Sequence, residues 1–208
     1  MDGLSHEQIS QYLADHPELL ARITVPHPYS GQAISIGERQ VMLLRERVRT
    51  LENKLKEFVQ FAEENDDIGE KMHRLTLDLM RAGSLPAALE SLYLDLAEQF
   101  AVPHVALRLW GVAHEMAEFA PAGQDVHALA SGLAQPRCGG DAPDEVRAWF
   151  GEGGAHLRSF ALVPLRDDRI DGLLVLASED AQRFYPEMGT LYLGRLGELA
   201  AAAIARFL

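Results

Sequence analysis

The sequence predicts an α+β fold, an antiparallel sheet flanked by helices and preceded by a long helix and a short N-terminal helical segment. Three observations predict it. Apolar residues repeat in heptads from Val41 to Ala62, the pattern of a coiled-coil helix. Leu85, Leu89, Leu92, Leu96 and Phe100 recur at helical spacing, and VPHVALRLWG directly after them alternates like a strand. Two more apolar stretches of strand length, Arg158–Leu165 and Asp171–Ala177, are parted by RDDRI, whose aspartates suit a tight hairpin turn.

The chain divides into residues 1–35, 36–83 and 84–208. Ser5 with Gln8, Asp15 with Glu18 and Ser35 with Glu38 each place a side-chain acceptor three positions before a Glu or Gln that can reach back to it, the mark of a helix start. The first two launch short helices, one carrying Ile9, Tyr12 and Leu13, the other Leu19, Leu20 and Ile23. Between Ile23 and Ser35 the run TVPHPYSGQA holds two prolines and a glycine, which block helix and predict an extended hinge or strap. Ile23, Val25, Tyr29 and Ile34 are apolar there and need a surface to cover.

From Ser35 the heptad register sets Val41, Val48, Leu55 and Ala62 at a, and Leu44, Leu51 and Phe58 at d. Valine at a with leucine at d favours two parallel strands, so Val41, Leu44, Val48, Leu51, Leu55 and Phe58 are the expected interface of a homodimer. The alternative is that they line an intramolecular helical bundle. Beyond Ala62 the register meets Asn65 and Gly69, while Ile68, Met72, Leu75 and Leu79 restart an apolar stripe in a shifted phase. EENDDIG therefore marks a kink in the helix or a break between two; unbroken to Arg81, the helix would run roughly 70 Å at about 1.5 Å per residue.

In the third segment, the first strand sets Val105, Leu107 and Leu109 on one face and Ala106, Arg108 and Trp110 on the other. A Gly- and Pro-rich middle follows, with short helices expected near Val126–Leu133 and Asp144–Phe150. After the two later strands, a helix from about Pro186 to Phe207 closes the chain.

The formal net charge is −12, and it is spread evenly: residues 1–83 hold 10 basic and 14 acidic side chains, the remainder 9 and 17. Neither part is a basic arm, so nucleic acid is not an expected partner. The N-terminus lacks a signal-peptide h-region, and the most apolar stretch, Leu199–Leu208, is far short of the ~20 residues that cross a bilayer. A single cysteine, Cys138, forms no intramolecular disulfide, which fits a reducing compartment; a cytoplasmic, membrane-free protein is expected.

YLADHPELL, the PHP…G…SIGERQ segment, the NDDIGEKMHRLTLDLM helix and RFYPEMGTLYLGRLGEL together resemble the bacterial domain-of-unknown-function family numbered 484, over nearly the whole chain. The order helix, strand, irregular middle, strand, hairpin, strand, helix is similar to a GAF domain, and SFALVPLRDDRIDGLLVLAS resembles its last two core strands. The resemblance implies a GAF-like fold and no established activity.

GAF folds commonly bind a small molecule between the sheet and the irregular middle, and on that analogy Arg108, Trp110, Cys138, Ser159, Arg183, Phe184 and Tyr185 are the ligand-pocket candidates. A guanidinium near an indole can grip an anionic or planar ligand; the plainer alternative is an ordinary outward-facing pair on a half-buried strand. Cys138 lies in QPRCGGD, a loop composition, and a catalytic thiol there would need a base that the sequence does not place. The lone thiol counts against the sulfoxide-reductase branch of GAF proteins, and Gly139 after it counts against bilin attachment. The eight histidines show no ligand spacing, and Asp167, Asp168 and Asp171 read as a solvated turn, so no metal and no cofactor is expected. No phosphate-binding loop or nucleophile elbow is present.

These features predict a non-enzymatic homodimeric regulatory module that couples a small-molecule ligand, of unidentified kind, to the geometry of the long helix and signals to a separate protein. The alternative is a ligand-free assembly adaptor that binds another protein through its helices.

Overall fold

The computed structural model describes residues 5–26 and 32–208. The chain forms two compact units, Met1–Glu64 and Asn65–Leu208.

In the first unit, α1 (His6–Asp15) opens on the expected capping box: Gln8 N–H donates to Ser5 Oγ, and the Gln8 carbonyl oxygen accepts from Ser5 N–H. The Asp15 box does not form. Asp15 is the last residue of α1, where Gln11 donates to its carboxylate at 3.3 Å, and α2 (Glu18–Arg22) starts instead after Pro17. The two described ends of the strap are extended, as expected, and they are also paired: β1 (Thr24–Pro26) and β2 (Ala33–Ser35) run antiparallel with Val25 opposite Ile34. Arg39 donates to the Pro26 carbonyl at 3.3 Å and ties this pair to the helix that follows. His27 and Tyr29 lie outside the described residues.

That helix, α3 (Ile36–Arg81, 46 residues), begins on the predicted Ser35–Glu38 box. The two donations from Ser35 to the Glu38 carboxylate, the backbone N–H foremost, hold Glu38 below the usual carboxylate range. EENDDIG does not break the helix, which is continuous from Ile36 to Arg81. Ion pairs one turn apart, Lys71 to Asp67 and Arg74 to Glu70, both at 2.7 Å, carry the backbone across Gly69.

The second unit is built on a four-stranded antiparallel sheet of order β3–β6–β5–β4. Its strands are β3 (His104–Trp110), β4 (Arg137–Gly139), β5 (Ser159–Arg166) and β6 (Asp171–Ser178). The β5–β6 hairpin turns where RDDRI predicts it, with Asp167 N–H donating to Ile170 and Arg169 N–H to the Asp167 carboxylate; Asp167, Asp168 and Asp171 are all exposed.

Both sheet faces are covered. Leu107, Leu109, Ala161, Val163, Leu174 and Leu176 pack in one cluster with the end of α3, with α4 (Leu85–Glu98) and with α7 (Leu191–Ala205). Met72, Leu75 and Leu79 of α3 are buried there, which accounts for the restarted stripe. On the other face, Ala106, Phe160, Leu162, Leu173 and Val175 pack against α5 (Gln124–Gly132) and α6 (Asp144–Ala148). This alternation follows from the period of two along each strand.

Two sequence expectations are corrected here. Cys138 is not in a loop: it lies on β4, opposite Ala161, at 7% exposure. The closing helix starts at Leu191 rather than near Pro186, because Gly189 and a turn from Tyr185 to Met188 precede its cap at Thr190. At its far end Arg206 donates to the carbonyls of Leu79, Met80 and Ala82, the open C-terminal acceptors of α3.

Candidate functional site

The place to look for a small-molecule cavity is between the sheet and the short helices α5 and α6. Protein side chains fill it. The Arg108 guanidinium stands 5.1 Å from the centre of the Trp149 ring, and Trp110 packs on His127 with ring centres 4.3 Å apart. Arg147 lies 4.6 Å over Phe160 and donates to the carbonyls of Gly140, Ala142 and Leu157, so its charge is spent on backbone acceptors. Arg166 donates to Ala130, Ser131 and Leu133 and caps α5. Glu145 accepts from Gly123 N–H at 2.7 Å and fixes the entry to α5. A cavity bordered by Trp110, Ala130, Arg166 and Gly172 measures about 10 Å³, at the lower limit for one water molecule.

The seven pocket candidates are not brought together. Arg108 and Trp110 share the α5/α6 face. Cys138 and Phe184 are buried in the cluster on the opposite face. Ser159 is fully buried, donating to the Asp180 carbonyl at 2.6 Å and accepting from Phe184 N–H. Arg183 donates to the Phe100 carbonyl at 2.6 Å, and Tyr185 is exposed. Burial raises the Cys138 thiol above its ordinary pKa, the opposite of the shift that activates a thiol. At the β3 edge, burial, reinforced by Glu118, raises the Tyr93 phenol well above its ordinary range; it donates to Glu118 at 3.0 Å. Among the described residues no group of His, Cys, Asp and Glu could hold a metal ion.

The residues that fill this face, His127, Arg147 and Trp149, were not singled out from sequence. The available signal is DEVRAWF, a short helix carrying a cation and an indole, but nothing in its spacing says that they turn inward.

The other candidate surface is the seam of α3. Val41, Leu44, Val48, Leu51, Leu55 and Phe58 are all exposed, from 46% at Val41 to 68% at Phe58. Leu43, Val59 and Phe61 are about half exposed beside them. Arg47 and Glu52 flank the seam at g and e. Among the described residues no helix is long and apolar enough to cross a membrane.

A protein-family model described as a protein of unknown function, DUF484, matches residues 3–208. No curated protein matches the chain. Among solved structures, it is similar to the GAF domain from a phosphoenolpyruvate-protein phosphotransferase of Coxiella burnetii, at 17% identity and a TM-score of 0.49, covering 67% of this chain and 94% of that one.

Proposed function

The chain belongs to the DUF484 family, and we propose that it is a non-enzymatic assembly adaptor: a parallel homodimer, paired through α3, that binds another protein. The exposed seam carries this reading. Six large apolar side chains on one stripe, each roughly half or more open to water, are a liability on a monomer and a contact surface in a pair. In the parallel arrangement Arg47 at g meets Glu52 at the next e of the partner, so opposite charges flank the apolar contact.

The ligand-sensing alternative would need a cavity of roughly 300 Å³ or more, the size that small-molecule sites take. The filled face between the sheet and α5 and α6, with its cavity of about 10 Å³, favours the adaptor. A catalytic role has equally little support, since Cys138 is buried with its thiol pKa raised.

Leu51→Glu tests the pairing. It places two like charges against each other at the dimer axis, where an unpaired ion is strongly disfavoured. Sedimentation at micromolar concentration should show a dimer for the natural chain and a monomer for the variant, with near-UV circular dichroism of the sheet domain unchanged. A variant that stays dimeric would move the interface elsewhere.

A further inference from the structure

We infer that the first unit has no stable fold of its own and that its segment of α3 orders only against a second copy, so that dimerisation and helix formation are one event. The inference rests on the proposed pairing and adds a mechanism to it.

The starting observation is that no residue of 5–19, 22–26 or 32–64 is buried, whereas the second unit holds two buried clusters. Small folded units are marginal even when they do bury a core. Here large apolar side chains face water on α1, where Ile9 and Tyr12 are 44% and 58% exposed, at Ile23 after α2, and along the seam of α3. Fixing a backbone costs conformational entropy at every residue, and the apolar side chains described in this unit are at most half-buried, which offsets little of it.

Local interactions are too few to substitute. Among the described residues no ion pair joins side chains between Ile36 and Glu64; those of α3 begin at Asp67–Lys71, in the second unit. The side-chain bonds within the front of the helix are the Ser35–Glu38 cap, Thr50 to the Glu46 carbonyl and Gln60 to Glu64. Helices in water owe most of their stability to packing of an apolar face, not to propensity. The apolar face here is the heptad stripe, and its geometry suits a second copy of the same stripe. The flanking charges agree, since Arg47 and Glu52 are complementary to each other across a parallel pair. In such a pair six side chains from each copy leave water together.

The test uses the intact chain. Sedimentation, circular dichroism at 222 nm and hydrogen exchange read by mass spectrometry are recorded from tens of micromolar down to nanomolar. The helical signal is expected to fall over the same concentrations at which the mass falls from dimer to monomer. Amides of residues 41–61 should then exchange at least about tenfold faster, while those of β5 and β6 stay protected. Leu51→Glu should show the same loss of protection at every concentration. A monomer that keeps its full helical signal and its protection over 41–61 overturns the coupling and leaves the dimer intact. A natural chain that is monomeric at all concentrations, with 41–61 protected, overturns the pairing and the coupling together.

Discussion

Asp95 is an acid placed where an amide would serve better. It sits on α4 at 6% exposure, its Oδ1 accepts from the Gln99 amide at 2.8 Å, and its Oδ2 and the Gln99 Oε1 are both buried with no partner among the described residues. Burial raises its pKa; the Gln99 bond opposes this, and the negative charges of Asp78 on α3 and Glu98 on its own helix add to the rise. Because the folded state holds the proton more tightly than the unfolded chain, Asp95 favours the fold fully below the unfolded pKa of 3.8, and that contribution is lost as pH rises through the folded value. Asp95→Asn supplies a donor that does not titrate, so it should stabilise the chain at pH 7 by about 1–3 kcal/mol and by clearly less at pH 4. Thermal unfolding at the two pH values checks this; a loss of stability at pH 7 would show that the carboxylate has a partner after all. Cys138 teaches the complementary lesson. Its Gly-flanked sequence reads as a loop, yet three residues, Arg137–Gly139, pair with β5, and a pairing that short leaves no period to detect.

At the scale of elements, α7 shows how tightly the second unit is assembled. Gly197 faces β5 so closely that an added Cβ would stand 2.8 Å from Val163 Cγ1 and 3.1 Å from the Pro164 carbonyl oxygen. Strand backbone cannot retreat from the helix without breaking the ladder to β6, so Gly197→Ala should cost about 1–3 kcal/mol despite its better helix propensity. Denaturant unfolding measures it, and a neutral or stabilising result would mean that α7 shifts freely on the sheet. The elements that sequence patterning predicts well are those that bury one regular stripe or face: α3, α4, β3, and the β5–β6 hairpin, whose turn chemistry is local. What it does not predict depends on distant neighbours. The β1–β2 pair needs its two halves to meet, β4 needs the edge of β5, and the α5/α6 face is closed by Arg147 and Trp149 turning inward onto partners far along the chain. The candidate site was legible in the same uneven way. Heptad spacing names the exposed apolar stripe of α3 residue by residue, while its pairing is a proposal; the pocket candidates, taken from fold analogy, fall on both faces of the sheet.

For the whole molecule, the proposed pairing raises the question of orientation, which the charges beside the seam can answer. Hydrophobic burial at Val48, Leu51, Leu55 and Phe58 would supply most of the association energy in either direction, because it is indifferent to the sense of the partner chain. Charge is not. In a parallel pair Arg47 at g meets Glu52 at e of the other copy, twice by symmetry, whereas an antiparallel pair sets g against g and e against e. Each exposed pair is worth only about 0.2–1 kcal/mol, so Arg47→Glu, which makes both contacts repulsive, should raise the dimer Kd by about 2- to 30-fold. Glu52→Arg should do the same for the opposite reason. The double variant Arg47→Glu/Glu52→Arg restores opposite charges only if g faces e, and should return the Kd to within about twofold of the natural chain at low salt. The differences should shrink at 1 M salt, where screening over about 3 Å removes exposed pairs and leaves the apolar seam. If the double variant is as weak as the sum of the single ones, the helices do not run parallel in this register, and the side-by-side placement of the two sheet domains that a parallel pair implies falls with it.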